Sequence, residues 1–363
     1  MGEYLVELLS KRPDWTVTVT SRRARLDREN VRYRVGNARD RDFMKQLLSE
    51  QNFDAIVDFM NYGYDEFAGC FHALLSATDH YIFLSSSRVY ADSAAPITEK
   101  SPRLLDVSSD TAFLQTQRYA LRKARQENLL TESGKSNFSI IRPYITYSNR
   151  RLQLGIYEKE QWLYRLLNHK PVIIRDEILT RRTTLTHGKD VSTVLSRVMD
   201  SAPLAGPVQI MTSETMRWGD ILKLYLQVLE EALGPGACNV YTCPSMEEIE
   251  SLFEGGYNTK YDRLYDRVFD PSFAEQMFGH VAYTPMAQGL QTCLEELIRD
   301  WKDQGNRVFL PPAWDYEAIM DRMLSINRET PEMDEAGRKQ YHEILNQTAA
   351  PARVSRLQSP PCL

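Results

Sequence analysis

Within the first 142 residues, short apolar runs of strand length alternate with stretches whose apolar residues recur at helical spacing, and this alternation constrains the fold most. Leu5, Val6, Leu8 and Leu9 predict a helix over residues 3–10, which Arg12-Pro13-Asp14 stops before a β-branched run at 16–20. Further strands are predicted at 33–35, 55–59, 81–85 and 138–142, with helices over 40–49, 66–76 and 116–133 between them. Strands separated by helices pair in parallel through right-handed crossovers, so the expected fold class is α/β with a doubly wound parallel sheet. Such a sheet binds ligands at the carboxyl ends of its strands, and strand ends therefore become the places to look for function.

The pattern breaks after Pro143, which puts a boundary near residue 150 and the first domain at 1–150. A smaller mixed C-terminal substrate domain is expected over 151–310, with helices at 158–168, 189–199 and 218–233 and a strand at 172–174. Pro311-Pro312-Ala313-Trp314 opens a charged helical extension over 311–345. The tail 346–363 is rich in Ala, Pro, Ser and Gln, has little to bury, and is expected to be disordered.

A chain of 363 residues with 42% hydrophobic content can bury one large core or two smaller ones. Its 44 basic and 49 acidic residues are intermixed, so no global field points to nucleic acid or an anionic membrane as a partner. No apolar run approaches the ~18 residues of a membrane span, and no basic segment leads into a signal sequence. Cys70, Cys238, Cys243, Cys293 and Cys362 form no CxxC pair, which fits free thiols in a reducing, cytoplasmic setting. Six histidines without HxxxH or HExxH spacing argue against a metal site.

Two segments carry chemistry. Tyr119 and Lys123 stand four apart, on one helix face, where an ammonium can stabilise a neighbouring phenolate. With 19 tyrosines in the chain, a Tyr-x-x-x-Lys spacing can also arise as an ordinary surface pair. FLSSSRVYAD runs an apolar strand directly into Ser85, Ser86 and Ser87, at a strand's carboxyl end, where a hydroxyl can hydrogen-bond a substrate oxygen while the tyrosine exchanges its proton.

Taken in order, SSSRVY, YALRK and a strand ending in Arg142-Pro143 resemble the extended short-chain dehydrogenase/reductases, the NAD-dependent epimerase/dehydratase family that modifies nucleotide sugars. The likeness covers residues 2–301, and it implies a Rossmann-like fold with Ser86, Tyr119 and Lys123 as the catalytic set. It further implies cofactor contacts at Gly2, Ser21, Arg22, Asn37, Phe59, Met60, Ser85, Tyr119, Lys123, Pro143, Tyr144 and Ile145. Substrate contacts are implied at Ser87, Arg88, Tyr147 and Asn149, and at Arg182, whose guanidinium suits a nucleotide diphosphate. The sequence departs from the family at 145–149, where Ile-Thr-Tyr-Ser-Asn replaces a Val-Tyr-Gly-Pro type segment.

The family opens with a strand and a Gly-x-x-Gly-x-x-Gly turn, of which only Gly2 has a counterpart. Two expectations follow: an internal methionine taken as the start, or a true loss of the phosphate loop that exposes neighbouring strand edges. After the strand at 16–20, Ser21-Arg22-Arg23 replaces the acidic residue usual for NAD, which favours NADP over NAD. The resemblance implies an epimerase or a reductase of a nucleotide sugar, with an NADP-dependent reductase of a non-sugar carbonyl and a non-catalytic relative as the alternatives. Dehydration is disfavoured, because Ser87-Arg88 occupies the place of the dehydratases' Asp-Glu pair. A homodimer is implied by the family alone.

Overall fold

The computed structural model describes residues 1–311, 313–325, 335–345 and 355–356. The chain forms two compact units, one built from residues 1–146, 184–213 and 268–284, the other from 147–183, 214–267 and 285–363. It therefore returns twice to the first unit after the predicted boundary near 150.

The first unit opens with α1 (Gly2–Leu9), β1 (Val17–Ser21), β2 (Val31–Val35), α2 (Arg41–Glu50) and β3 (Phe53–Asp58). It continues with α3 (Tyr64–Ala68), α4 (Phe71–Ser76), β4 (Thr78–Leu84), α5 (Tyr119–Thr131) and β5 (Phe138–Pro143). The returning segment 184–213 adds α6 (Gly188–Met199) and β6 (Pro207–Ile210). All ladders among these strands are parallel: β6, β5, β4 and β3 lie side by side in that order, while β1 and β2 pair separately. Among the described residues, no strand hydrogen-bonds the second edge of β1 or of β3.

The two faces of the four-stranded sheet follow from strand alternation. Ile82 and Leu84 of β4 join Ile141, Val208, Ile210 and the apolar sides of α1 and α6 in one core. Tyr81 and Phe83, pointing the other way, join Phe138, Ile140 and the phenylalanines and leucines of α3 and α4 in the second. Each fully buried Leu, Ile, Val or Phe contributes about 1.5–3 kcal/mol, so helices covering both faces stabilise a sheet whose strands are apolar on both sides. Val17 of β1 and Val57 of β3 both pack at the margin of the first core. This is the α/β, Rossmann-like doubly wound arrangement.

Three local expectations need correction. The helix predicted over 66–76 is broken, because α3 ends at Gly69, whose N–H is taken by Asp65 O, and α4 starts afresh at Phe71. The helix predicted from 116 begins only at Tyr119, since Thr116 Oγ1 and the Phe113 carbonyl close a preceding turn. Residues 207–210, which fall within the predicted substrate domain, form β6, paired with β5 in the sheet of the first unit.

In the second unit, the helix predicted over 158–168 shrinks to Leu163–Leu167. Its first residues are taken by a short antiparallel pair, Gln153–Leu154 with Tyr157–Glu158, turned at Gly155 with a φ of 57°, which a side chain would resist. Trp162 stacks on Tyr225 of helix Trp218–Leu233 at 4.7 Å. Val172–Arg175 pairs in parallel with Val240–Cys243, and Ser355–Arg356 lies antiparallel on the latter's other side. The helix Met286–Gln304, which the sequence reading did not place, and Trp314–Met323 complete it. Apart from Ser355–Arg356, the tail expected to be disordered and Cys362 lie outside the described residues. Burial pushes the thiols of Cys70, Cys238, Cys243 and Cys293 up to about 12. Among the described residues, no helix is long and apolar enough to cross a membrane.

Candidate active site

Parallel strands present their carboxyl ends along one edge of a sheet, and the predicted residues of the first unit fall there. Ser21 ends β1, Asn37 follows β2, Phe59 and Met60 follow β3, Ser85 to Ser87 follow β4, and Pro143 to Ile145 end or follow β5. Ser21 Oγ donates to Arg23 O at 2.8 Å, and Arg22 is exposed. Asn37 Oδ1 accepts from Arg39 N–H at 3.1 Å. Gly2 heads α1, and a methyl group there would lie 3.7 Å from the Phe59 ring.

The turn after β4 and the helix α5 are joined by side chains. Lys123 is 2% exposed and donates from Nζ to Leu84 O at 2.7 Å, with the Phe83 ring 4.6 Å away. Burial lowers its pKa to about 8, while the Asp58 and Glu127 carboxylates pull it upward. Four residues earlier on the same face, Tyr119 begins the helix. The Arg88 guanidinium lies over its ring at 5.1 Å and that of Arg122 at 5.7 Å. Ser86 caps the single helical turn Ser87–Val89 by accepting from Arg88 N–H at 3.2 Å. SSSRVY and YALRK, about thirty residues apart in sequence, are thus brought together.

The three serines have different tasks. Ser85 donates to Glu127 Oε1 at 2.5 Å, and Ser87, fully buried, donates to Arg142 O at 2.7 Å. Ser86 Oγ accepts a backbone proton, and no acceptor for its own proton is found among the described residues. The family resemblance had marked the middle serine, and its hydrogen bonding differs from that of its two neighbours.

Residues that sequence reasoning missed lie one layer below. Asp58, the last residue of β3, accepts from Tyr81 Oη at 2.7 Å and from Met60 N–H at 2.9 Å, and burial raises its pKa. Glu127 receives Ser85, Arg103 and Arg142, the last through both Nε at 2.8 Å and Nη2 at 2.6 Å. Burial works against the Arg142 charge, yet Glu127 holds its pKa above the ordinary value. An aspartate closing the apolar run Ala55-Ile56-Val57 and a glutamate eight residues beyond Tyr119 were the available signals.

The remaining predicted residues lie in the second unit. Tyr147 is buried, Asn149 sits in the turn closed by Ser148 and Arg151, and Arg182 is paired with Asp266 at 2.9 Å.

No protein-family profile matches the sequence, and no curated protein does either. Solved structures match over most of the chain. The Bordetella bronchiseptica enzyme WbmH, in complex with NAD+, superposes with a TM-score of 0.59 at 16% identity, covering 84% of this chain and 95% of its own. The UDP-N-acetylglucosamine 4-epimerase of Methanobrevibacter ruminantium, in complex with UDP-N-acetylmuramic acid, gives 0.60 at 16% identity, with coverages of 84% and 95%. The dTDP-glucose 4,6-dehydratase of Bacillus anthracis, in complex with NAD, gives 0.60 at 13% identity, with 85% and 96%. At these identities the likeness is one of fold, and this chain has the fold of these enzymes.

Proposed function

We propose that the chain is an NAD(P)-dependent epimerase or reductase of a nucleotide sugar, with Tyr119 as the acid/base, Ser86 as the hydroxyl that orients the reacting oxygen, and Lys123 as the cation beside them. The observation that carries this is the buried Lys123 ammonium, which uses one of its three donors on Leu84 O, at the strand end that also supplies Ser86. Two unengaged donors in a buried place suit a ribose hydroxyl together with a phenolate, so the nicotinamide end of a cofactor fits the residues present. A nicotinamide bound there supplies the exchange of hydride with a sugar carbon. Tyr119 removes or returns the hydroxyl proton, Ser86 donates to the same oxygen, and Lys123 favours the phenolate electrostatically.

Ser85, Phe59, Met60, Pro143, Tyr144 and Ile145 would border that cofactor at the strand ends, and Gly2, Ser21, Arg22 and Asn37 its far half. The exposed Arg22 and Arg23 directly after β1 favour NADP, since a guanidinium pairs with a 2′-phosphate and repels nothing in it. Arg88, whose guanidinium lies over the Tyr119 ring, and Ser87, with Tyr147, Asn149 and Arg182 in the second unit, are the proposed substrate residues. Ser87 and Arg182 would first have to leave Arg142 O and Asp266. Homodimeric assembly and a cytoplasmic setting belong to the same proposal.

The test is turnover of UDP-, dTDP- and GDP-sugars and of simple ketones, followed by NADPH absorbance and sugar stereochemistry, with NADP and NAD compared. Tyr119→Phe should lower kcat about 10²–10⁴-fold. Undiminished turnover by that variant would refute the assignment. Turnover of ketones alone would move the substrate class to non-sugar carbonyls.

A further inference from the structure

We infer that Glu127 is a positioning residue, which sets the rotation of α5 so that Tyr119 and Lys123 face the turn bearing Ser86; this rests on the function proposed above. Tyr119, Lys123 and Glu127 follow at intervals of four along one face of α5, so fixing the third fixes the azimuth of the other two. The Glu127 side chain is 1% exposed, and its two oxygens take four donors. Oε1 accepts from Ser85 Oγ at 2.5 Å and Arg142 Nε at 2.8 Å, and Oε2 accepts from Arg142 Nη2 at 2.6 Å and Arg103 Nη1 at 3.2 Å.

Two of its three partner residues belong to pieces of the site. Ser85 precedes Ser86 at the end of β4, and Arg142 precedes Pro143 at the end of β5, where Nη1 also donates to Tyr90 Oη at 2.9 Å. One carboxylate therefore ties the catalytic helix to both strand ends that carry the site. Arg142 and Glu127 meet through two parallel hydrogen bonds, a geometry that tolerates little rotation. Buried ion clusters are commonly replaceable by apolar side chains without loss of stability, so stability alone gives no reason for a carboxylate here. Directional hold on the helix does. The neighbouring Gln126 holds α5 independently through Tyr62 O and Gly63 O, at 3.0 and 3.1 Å, so loss of Glu127 leaves the helix in place with a weaker hold on its rotation.

The experiment compares Glu127→Asp and Glu127→Gln with the parent chain and Tyr119→Phe, using the sugar nucleotide that turns over in the screen above. Aspartate keeps the charge that neutralises Arg142 and Arg103 but is one methylene short. Its thermal melting should stay near the parent's while kcat falls about 100-fold, as for a displacement of about 1 Å, with KM for sugar and cofactor little changed. Amide exchange should quicken over the stretch from Tyr119 to Glu127. Glutamine should do the same where it folds, and where it does not, aspartate decides. A folded aspartate variant with the parent's kcat and unchanged exchange overturns the inference while Tyr119→Phe is inactive. If Tyr119→Phe is as active as the parent, the underlying function falls, and accelerated exchange in the aspartate variant would then still show the helix clamp.

Discussion

In the proposed mechanism, Lys123 sets the alkaline side of the chemistry. Burial brings its pKa from the ordinary 10.5 to about 8, against the pull of Asp58 from β3 and Glu127 on its own helix and with the push of Arg122. In the proposed mechanism this cation favours the Tyr119 phenolate, so kcat should decline as pH rises through about 8. Replacing Asp58 by Asn removes an attraction for the proton and should move that decline to lower pH, which a kcat–pH profile measures. For stability the sign is opposite: between about 8 and 10.5 the unfolded chain keeps a proton that the folded one has released. The Lys123 contribution to stability should therefore rise with pH through that window, and Lys123→Met should abolish the rise in urea titrations. Tyr81→Phe removes the 2.7 Å donor to the buried Asp58 carboxyl and should cost about 1–3 kcal/mol in the same titrations. At this scale the three residues proposed to react could be picked out from the sequence, because spacing within one helix and one strand end is local. Asp58 and Glu127 could not, because their partners Tyr81, Ser85 and Arg103 come from other elements and no local pattern announces the contact.

Elements were legible where a run was bounded by its own punctuation. The strands β1, β3, β4 and β5 and the helices α1 and α2 lie within a few residues of expectation, since each is an apolar pattern ended by Pro, Asp or a polar turn. The breaks inside patterns were hidden: α3 and α4 share one helical periodicity, and only the Gly69 terminus separates them. The join of β2 and α2 depends on a similar small detail. A methyl group at Gly36 would lie 2.3 Å from Cε2 of Phe43, and an aromatic ring packed there cannot give way by rotation about a long chain. Gly36→Ala should therefore lower stability by about 1–3 kcal/mol, read as a lower Tm, and Phe43→Leu in the same chain should recover part of it. Among the described residues, no strand pairs with the outer edges of β1 and β3. Outward amides of β3 should exchange faster than those of β4, which is paired on both sides.

The course of the whole chain was the least legible feature, because it depends on pairings across long separations. β6 pairs with β5 more than sixty residues upstream, and nothing in Pro207-Val208-Gln209-Ile210 distinguishes a strand of the first unit from one of the second. The second unit shows what such distant contacts can stabilise. Arg165, wholly buried, donates from Nη1 to Glu317 at 2.8 Å and from Nε to Pro171 O at 2.7 Å, and its Nη2 reaches Asp321. Lys170 adds a bond to Glu317 at 3.0 Å. The cluster joins helix Leu163–Leu167 to helix Trp314–Met323, about 150 residues on. Arg165→Met would leave two carboxylates buried with one lysine between them, so it should destabilise this unit by about 3–5 kcal/mol. Replacing Arg165, Glu317 and Asp321 together by Met and Leu removes the charges as a set, and most of that loss should be recovered. Thermal melting of the two variants separates the cases. If the triple variant melts as low as Arg165→Met, packing of the guanidinium stem rather than the uncompensated charge holds the two helices together.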